Sequence, residues 1–196
     1  MKKTVFVFIA GIFATIQLKA QPGKSNETND SLGLNNSVCL RINVPVGEFS
    51  ETHFGGIGLH YSWSHHRFGK SRVLPKKLIG FTAHGGIDYY LGKKETIAGY
   101  PYRYGGYVYL QAMAGAIYNF CKKNSLANPG VRGIISLTTG PTLGIYKGNA
   151  DIGFGLNLDG GYYLTNRIAL IGGILFLKHS KAAPLWVSTI EAAFSF

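Results

Sequence analysis

Three groups of side chains in this sequence are of types that do chemistry. His179 and Ser180 precede Glu191, which supplies a base, a nucleophile and an acid in one stretch. His60, His84 and Asp88 offer two imidazoles and a carboxylate, the types that move protons near neutral pH or bind zinc. Arg41 and Glu191, far apart in the chain, could form an ion pair, and Asp159 adds another acid. None of these falls in a motif of fixed spacing. Their chemistry therefore depends on the faces to which the surrounding elements turn them.

Those elements alternate with a period of two, in segments of about ten residues separated by turn chemistry. A first strand, Val38 to Val46, sets Val38, Leu40, Ile42 and Val44 against Cys39, Arg41 and Asn43. A second, Phe54 to Ser64, turns Ile57, Leu59, Tyr61 and Trp63 one way and His60 and Ser62 the other. A third, Leu78 to Leu91, opposes Ile79, Phe81, Ala83, Ile87 and Tyr89 to Thr82, His84 and Asp88. The fourth, Tyr107 to Phe120, separates Val108, Leu110, Ala112, Tyr118 and Phe120 from Gln111, Gly115 and Asn119. In the fifth, Val131 to Ile145, Pro141 has no amide hydrogen for the ladder, and a bulge is expected there.

The sixth, Ile152 to Leu164, opposes Phe154, Leu156, Leu158 and Tyr162 to Asn157, Asp159 and Gly161. The seventh, Ile168 to Lys178, is apolar on both faces, so the pattern leaves its facing open. The last, Leu185 to Phe196, places Trp186, Ile190, Ala192, Phe194 and Phe196 opposite Thr189, Glu191, Ala193 and Ser195 and ends on a bare aromatic. Many of the 27 glycines fall on the less apolar face, where they leave room inside a tightly curved wall.

The amino terminus sets the compartment. Lys2 and Lys3 precede the apolar run Val5 to Ile16, and Ala20 stands before Gln21, which reads as a secretory signal peptide over residues 1–20 cleaved near Ala20. The run is too short for a spanning helix. Residues 21–37 are expected to form a polar periplasmic leader and residues 38–196 the folded domain. Lys2, Lys3 and Lys19 leave with the signal, so 17 basic residues face 9 acidic ones, a net charge near +8. In an exported chain that favours anionic lipid over nucleic acid as the partner.

Eight alternating segments with both ends on one side predict an all-β fold, a closed antiparallel up-and-down transmembrane β-barrel. Closure is compulsory in lipid, where every unpaired amide on an open edge costs several kcal/mol. The outward aromatics Tyr61, Trp63, Tyr118, Phe120, Tyr162, Phe194 and Phe196 fall at the periplasmic ends, with Tyr89 and Trp186 near the outer rim, as an interfacial girdle requires. Arg67, Lys70, Arg72, Lys76, Lys77, Lys122, Lys123 and Arg167 occupy the inner turns.

On this periodicity, these aromatic bands and the terminal Phe196, the chain over residues 38–196 resembles the small eight-stranded outer-membrane proteins, the OmpA/OmpX-like barrels of Gram-negative bacteria. The resemblance implies outer-membrane localisation, insertion by the outer-membrane assembly machinery through a last strand ending in Phe194 and Phe196, and a lumen too narrow for a wide porin-like pore. Outer-membrane lipid and lipopolysaccharide are the expected partners, the oligomeric state is left open with a monomer favoured, no cofactor is expected, and the role expected is a non-enzymatic one in envelope structure, surface interaction or limited permeation.

Inside such a barrel Arg41 should meet Glu191 where first and last strands close, and His60 should lie near His84, with Asp88 further out. With Asp159 these form a polar lumen network. Two rival functions follow from the same residues. One is a narrow channel sensitive to protons through its histidines. The other is a lipid A hydrolase. In the barrel deacylases the histidine and serine are two residues apart and share a face, whereas adjacent His179 and Ser180 on a strand point opposite ways. A metal site at His60 and His84 lacks a third ligand. Cys39 and Cys121, on strands one and four, are expected as free thiols. The second outer loop, Gly92 to Gly106, mixes Lys93, Lys94 and Arg103 with Tyr100, Tyr102 and Tyr104. It is read as an upper interfacial belt, with a grip on lipopolysaccharide phosphates as the alternative.

Overall fold

The computed structural model describes residues 36–65, 79–121, 131–165, 168–180 and 184–196; at positions 121, 131 and 132 only the backbone is described. The signal segment, the leader to residue 35 and the basic inner-turn residues Arg67 to Lys77, Lys122, Lys123 and Arg167 lie outside these residues, as does the side chain of Cys121.

Eight long strands form the wall: β1 (Asn36–Val46), β2 (His53–His65), β3 (Ile79–Gly92), β6 (Tyr107–Cys121), β7 (Val131–Tyr146), β8 (Asn149–Tyr163), β9 (Ile168–His179) and β10 (Leu185–Ser195). Neighbours pair antiparallel, and β1 with β10 closes the sheet, so no wall edge is left open. Asn36 and Ser37, assigned above to the leader, already pair with β2, because their amides continue the ladder. A five-residue helix, α1 (Glu48–Thr52), joins β1 to β2, and a ribbon of β4 (Lys94–Ile97) and β5 (Tyr100–Arg103) rises between β3 and β6.

The alternation faces the way the sequence predicts. Ile57 is 69% exposed and Phe154 52%, whereas Arg41 is 3% exposed and Asp88 fully buried. The expected bulge at Pro141 is absent. Thr142 still pairs with Gln111 and Thr139 with Ala114, so the β6–β7 register runs through unbroken. Pro141 turns outward, and the wall tolerates the missing donor without inserting a residue. The irregularity in that ladder lies instead at Phe120 and Cys121. β9 is settled as well, with Ala169, Ile171, Leu175, Leu177 and His179 inward and Leu170, Ile174 and Lys178 outward.

The lumen holds apolar layers besides the polar network expected. Its polar middle lies between two apolar layers. Near the end that carries α1, Phe49, Tyr90, Tyr109, Met113, Leu175, Leu177 and Val187 form one cluster. Near the end that carries the chain terminus, Cys39, Ile117, Ile134, Tyr163, Ala169, Ile171 and Ala193 form the other. Eight strands enclose only enough space for side chains to fill, and sequence spent much of that space on apolar groups.

Candidate functional site

The polar middle is built from both sides of the β1–β10 seam. Arg41 stands opposite Glu191 and gives its Nε and Nη2 to the same carboxylate oxygen, Oε2, each at 2.8 Å. Both residues are buried, so the pair is held in a medium of low polarity, where breaking it strands a charge. The second centre is Asp88. Its Oδ1 accepts from Asn43 Nδ2 at 2.7 Å and from His60 Nε2 at 3.0 Å, while Oδ2 accepts from Gln111 Nε2 at 2.8 Å. Because a carboxylate only accepts, His60 must carry its proton on Nε2.

Glycine makes this cluster possible. A Cβ on Gly58 would fall 2.0 Å from Asp88 Oδ1, and one on Gly86, directly opposite His60, would fall 2.4 Å from its Nδ1. The third carboxylate, Asp159, accepts from Asn157 Nδ2 at 2.6 Å and lies over Gly173. Ser136 contributes a longer bond of 3.5 Å. The His60 and His84 rings are 6.3 Å apart, edge to face, with Asp88 bonded to the first. Among the described residues no group of three or more His, Cys, Asp or Glu is arranged to hold a metal. A cavity of about 40 Å³ below, lined by Ser37, Ser62, Thr82 and His84 among others, has room for a few waters. Cys39 is a buried free thiol.

His179 and Ser180 are parted by the strand. His179 points inward, where Nδ1 is hydrogen-bonded with Tyr107 Oη at 2.8 Å and its ring stacks on Tyr109 at 5.5 Å. Ser180 instead donates to Asp151 Oδ1 at 2.5 Å, and Glu191 is engaged by Arg41. Base, nucleophile and acid are not brought together.

The sequence reading set Asn43 and Gln111 on the inward face without joining them to the polar network, and it did not name Tyr90 and Tyr109. Asn43, Gln111, Tyr90 and Tyr109 share the inward parity of Arg41, Asp88 and Asn119, so the signal was available for them. Nothing in the sequence announced Phe49, which α1 lowers into an aromatic cage with His53 at 4.6 Å, Tyr90 at 5.1 Å and Tyr107 at 5.8 Å.

At the same end the outer face carries a second arrangement. Lys147 Nζ donates to Tyr102 Oη at 2.9 Å and sits over the rings of Tyr102 and Tyr146. Tyr104 Oη donates to Glu95 Oε2 at 3.2 Å, and Lys93 donates to the Ser50 carbonyl. The aromatics placed in the girdle are outward: Trp63, Tyr89, Phe120, Tyr162, Trp186, Phe194 and Phe196 are exposed, and Tyr61 and Tyr118 half-buried.

No protein-family model matches this chain, and no curated protein matches it. Solved structures do. The attachment invasion locus protein Ail of Yersinia pestis, in complex with the heparin analogue sucrose octasulfate, superposes with a TM-score of 0.51 at 9% identity, over 82% of this chain and 96% of that one. Ail in a phospholipid bilayer nanodisc gives 0.49 at 12% identity, over 83% and 100%. Neisserial surface protein A gives 0.46 at 12%, over 82% and 96%. At such identity the likeness is one of fold. The chain has the fold of the small eight-stranded outer-membrane β-barrels.

Proposed function

We propose that this chain is an outer-membrane protein of a Gram-negative envelope, closed to permeation and without enzymatic activity, whose contacts are made by its outer rim with envelope lipid and surface partners. The observation that carries this reading is the apolar cluster of Phe49, Tyr90, Tyr109, Met113, Leu175, Leu177 and Val187, which stands across the lumen at its outer end. An ion passing there would have to shed its water against rings and aliphatic groups, which opposes conduction. The separated His179 and Ser180 argue against a hydrolase. What remains for function is the exposed surface of α1, the β4–β5 ribbon and the turn at Lys147.

Planar-bilayer recording of the purified protein tests this. The expected trace is flat at all applied voltages; discrete conductance steps would replace the reading with that of a narrow channel. Incubation with lipid A should leave its acyl chains intact, and their release would reinstate the hydrolase.

A further inference from the structure

The plug at the outer end of the lumen and the ribbon above it share one set of bonds. α1 follows Gly47, whose φ of +65° makes a left-handed corner at the end of β1, and it runs for only five residues. A helix that short has no stability of its own in water, so its seat depends on what holds it. On its inner side Phe49 is 6% exposed, among the rings of His53, Tyr90 and Tyr107. On its outer side both feet of the β4–β5 ribbon grip the helix or the residue after it.

The first foot is Lys93, between β3 and β4. Its amide donates to the Thr52 carbonyl at 2.9 Å, its ammonium donates to the Ser50 carbonyl, and its own carbonyl accepts from the Tyr104 amide at 2.9 Å. The ammonium also lies 5.4 Å from the centre of the Phe54 ring. The second foot is Gly105, after β5, whose carbonyl accepts from His53 Nε2 at 3.2 Å. The feet are pressed together, since a side chain on Gly92 would run into the Tyr104 and Gly105 carbonyls. Beyond them β4 and β5 are exposed along their whole length and pair with each other, and the ribbon leans on the β7–β8 turn through Tyr102 and Lys147.

We propose that the ribbon is the handle of the plug: its two feet hold α1 down while β4 and β5 stay paired, and displacing the ribbon lifts Phe49 out of its aromatic cage. Water then enters the outer half of the lumen as far as the Asp88 layer. The other end stays shut behind the apolar layer of Ile117, Ile134, Tyr163 and Ile171. Coupling of this kind is reciprocal, so a loosened plug must also loosen the ribbon. The device rests on the reading of a closed barrel that works through its rim, and it carries a contact made at that rim into the interior.

The full chain in bilayer nanodiscs tests it in both directions. With para-fluorophenylalanine in place of Phe49, fluorine relaxation by a water-soluble gadolinium chelate is expected to be weak, and to rise about tenfold once thermolysin has cut the ribbon at Ile97. In the other direction, Phe49→Ala should speed that cut about tenfold. Combined with Lys93→Met it should speed the cut by less than the product of the two single effects, because both substitutions break one link. A fluorine that stays shielded after the cut overturns the proposal whether or not the variants fold. So does an unchanged cutting rate in a Phe49→Ala protein that keeps heat-modifiable migration on a gel, and so does a full product in the double variant. Planar-bilayer recording of the uncut protein separates the two readings: silence with an unresponsive fluorine removes the latch alone, whereas conductance steps remove the closed barrel beneath it.

Discussion

Buried charge in a narrow lumen leaves little freedom to individual residues. Replacing Arg41 by Met leaves Glu191 buried without its partner, and the expected loss is about 3–5 kcal/mol in urea unfolding from lipid vesicles. R41M/E191M should recover most of that loss, since two apolar chains of similar volume leave no stranded charge. A double variant as unstable as R41M alone would show that the pair is not what holds the seam. Gly58→Ala acts on the second centre, Asp88, from the adjacent strand β2. Its Cβ would meet Asp88 Oδ1 at 2.0 Å, so about 1–3 kcal/mol should be lost as the carboxylate is pushed off His60 and Asn43. These placements were legible before the structure, because counting parity along antiparallel strands brings Arg41 to Glu191 and turns His60 and Asp88 inward. Tyr90 and Tyr109 carried the same signal. Periodicity reports which face a residue occupies, not how apolar that face will be, so the expected polar network did not include these rings.

Among the elements, β9 shows why alternation can vanish. Its outward residues meet lipid and its inward Leu175 and Leu177 belong to the apolar cluster, so both faces are greasy and the sequence carries no contrast to read. Pro141 misled in the opposite direction, since an outward-facing residue in an otherwise continuous ladder can lack a donor without a bulge. The β4–β5 ribbon is the least secured element, because two strands alone are marginal in water. Its turn places Ala98 at φ +51° before Gly99 at +84°, the conformation of a two-residue hairpin that favours Asn-Gly. Ala98→Asn should therefore relieve about 1 kcal/mol of strain and slow limited proteolysis between Lys93 and Gly106. Unchanged or faster cleavage would mean that the turn is not what holds the ribbon.

For the whole molecule, closure brings the carboxy-terminal strand against the first. The Phe196 amide donates to the Asn36 carbonyl at 3.3 Å, and its ring lies 6.5 Å from that of Tyr61. Truncating Phe194 to Phe196 should lower the fraction of chain that reaches heat-modifiable form in membranes, and undiminished assembly would deny this strand end the role proposed for it. The apolar face outside and the apolar cluster inside make a sharper demand. Spin labels placed singly on a cysteine-free background, in bilayers, should report oxygen access and no access to a water-soluble nickel chelate at Ile152, Phe154, Leu156 and Leu158. At Tyr109 and Leu175 neither reagent should reach the label, because those positions face a closed interior. Nickel access at Tyr109 or Leu175 would mean an open lumen, and oxygen access at Asn157 in place of Leu156 would mean that the barrel is turned inside out.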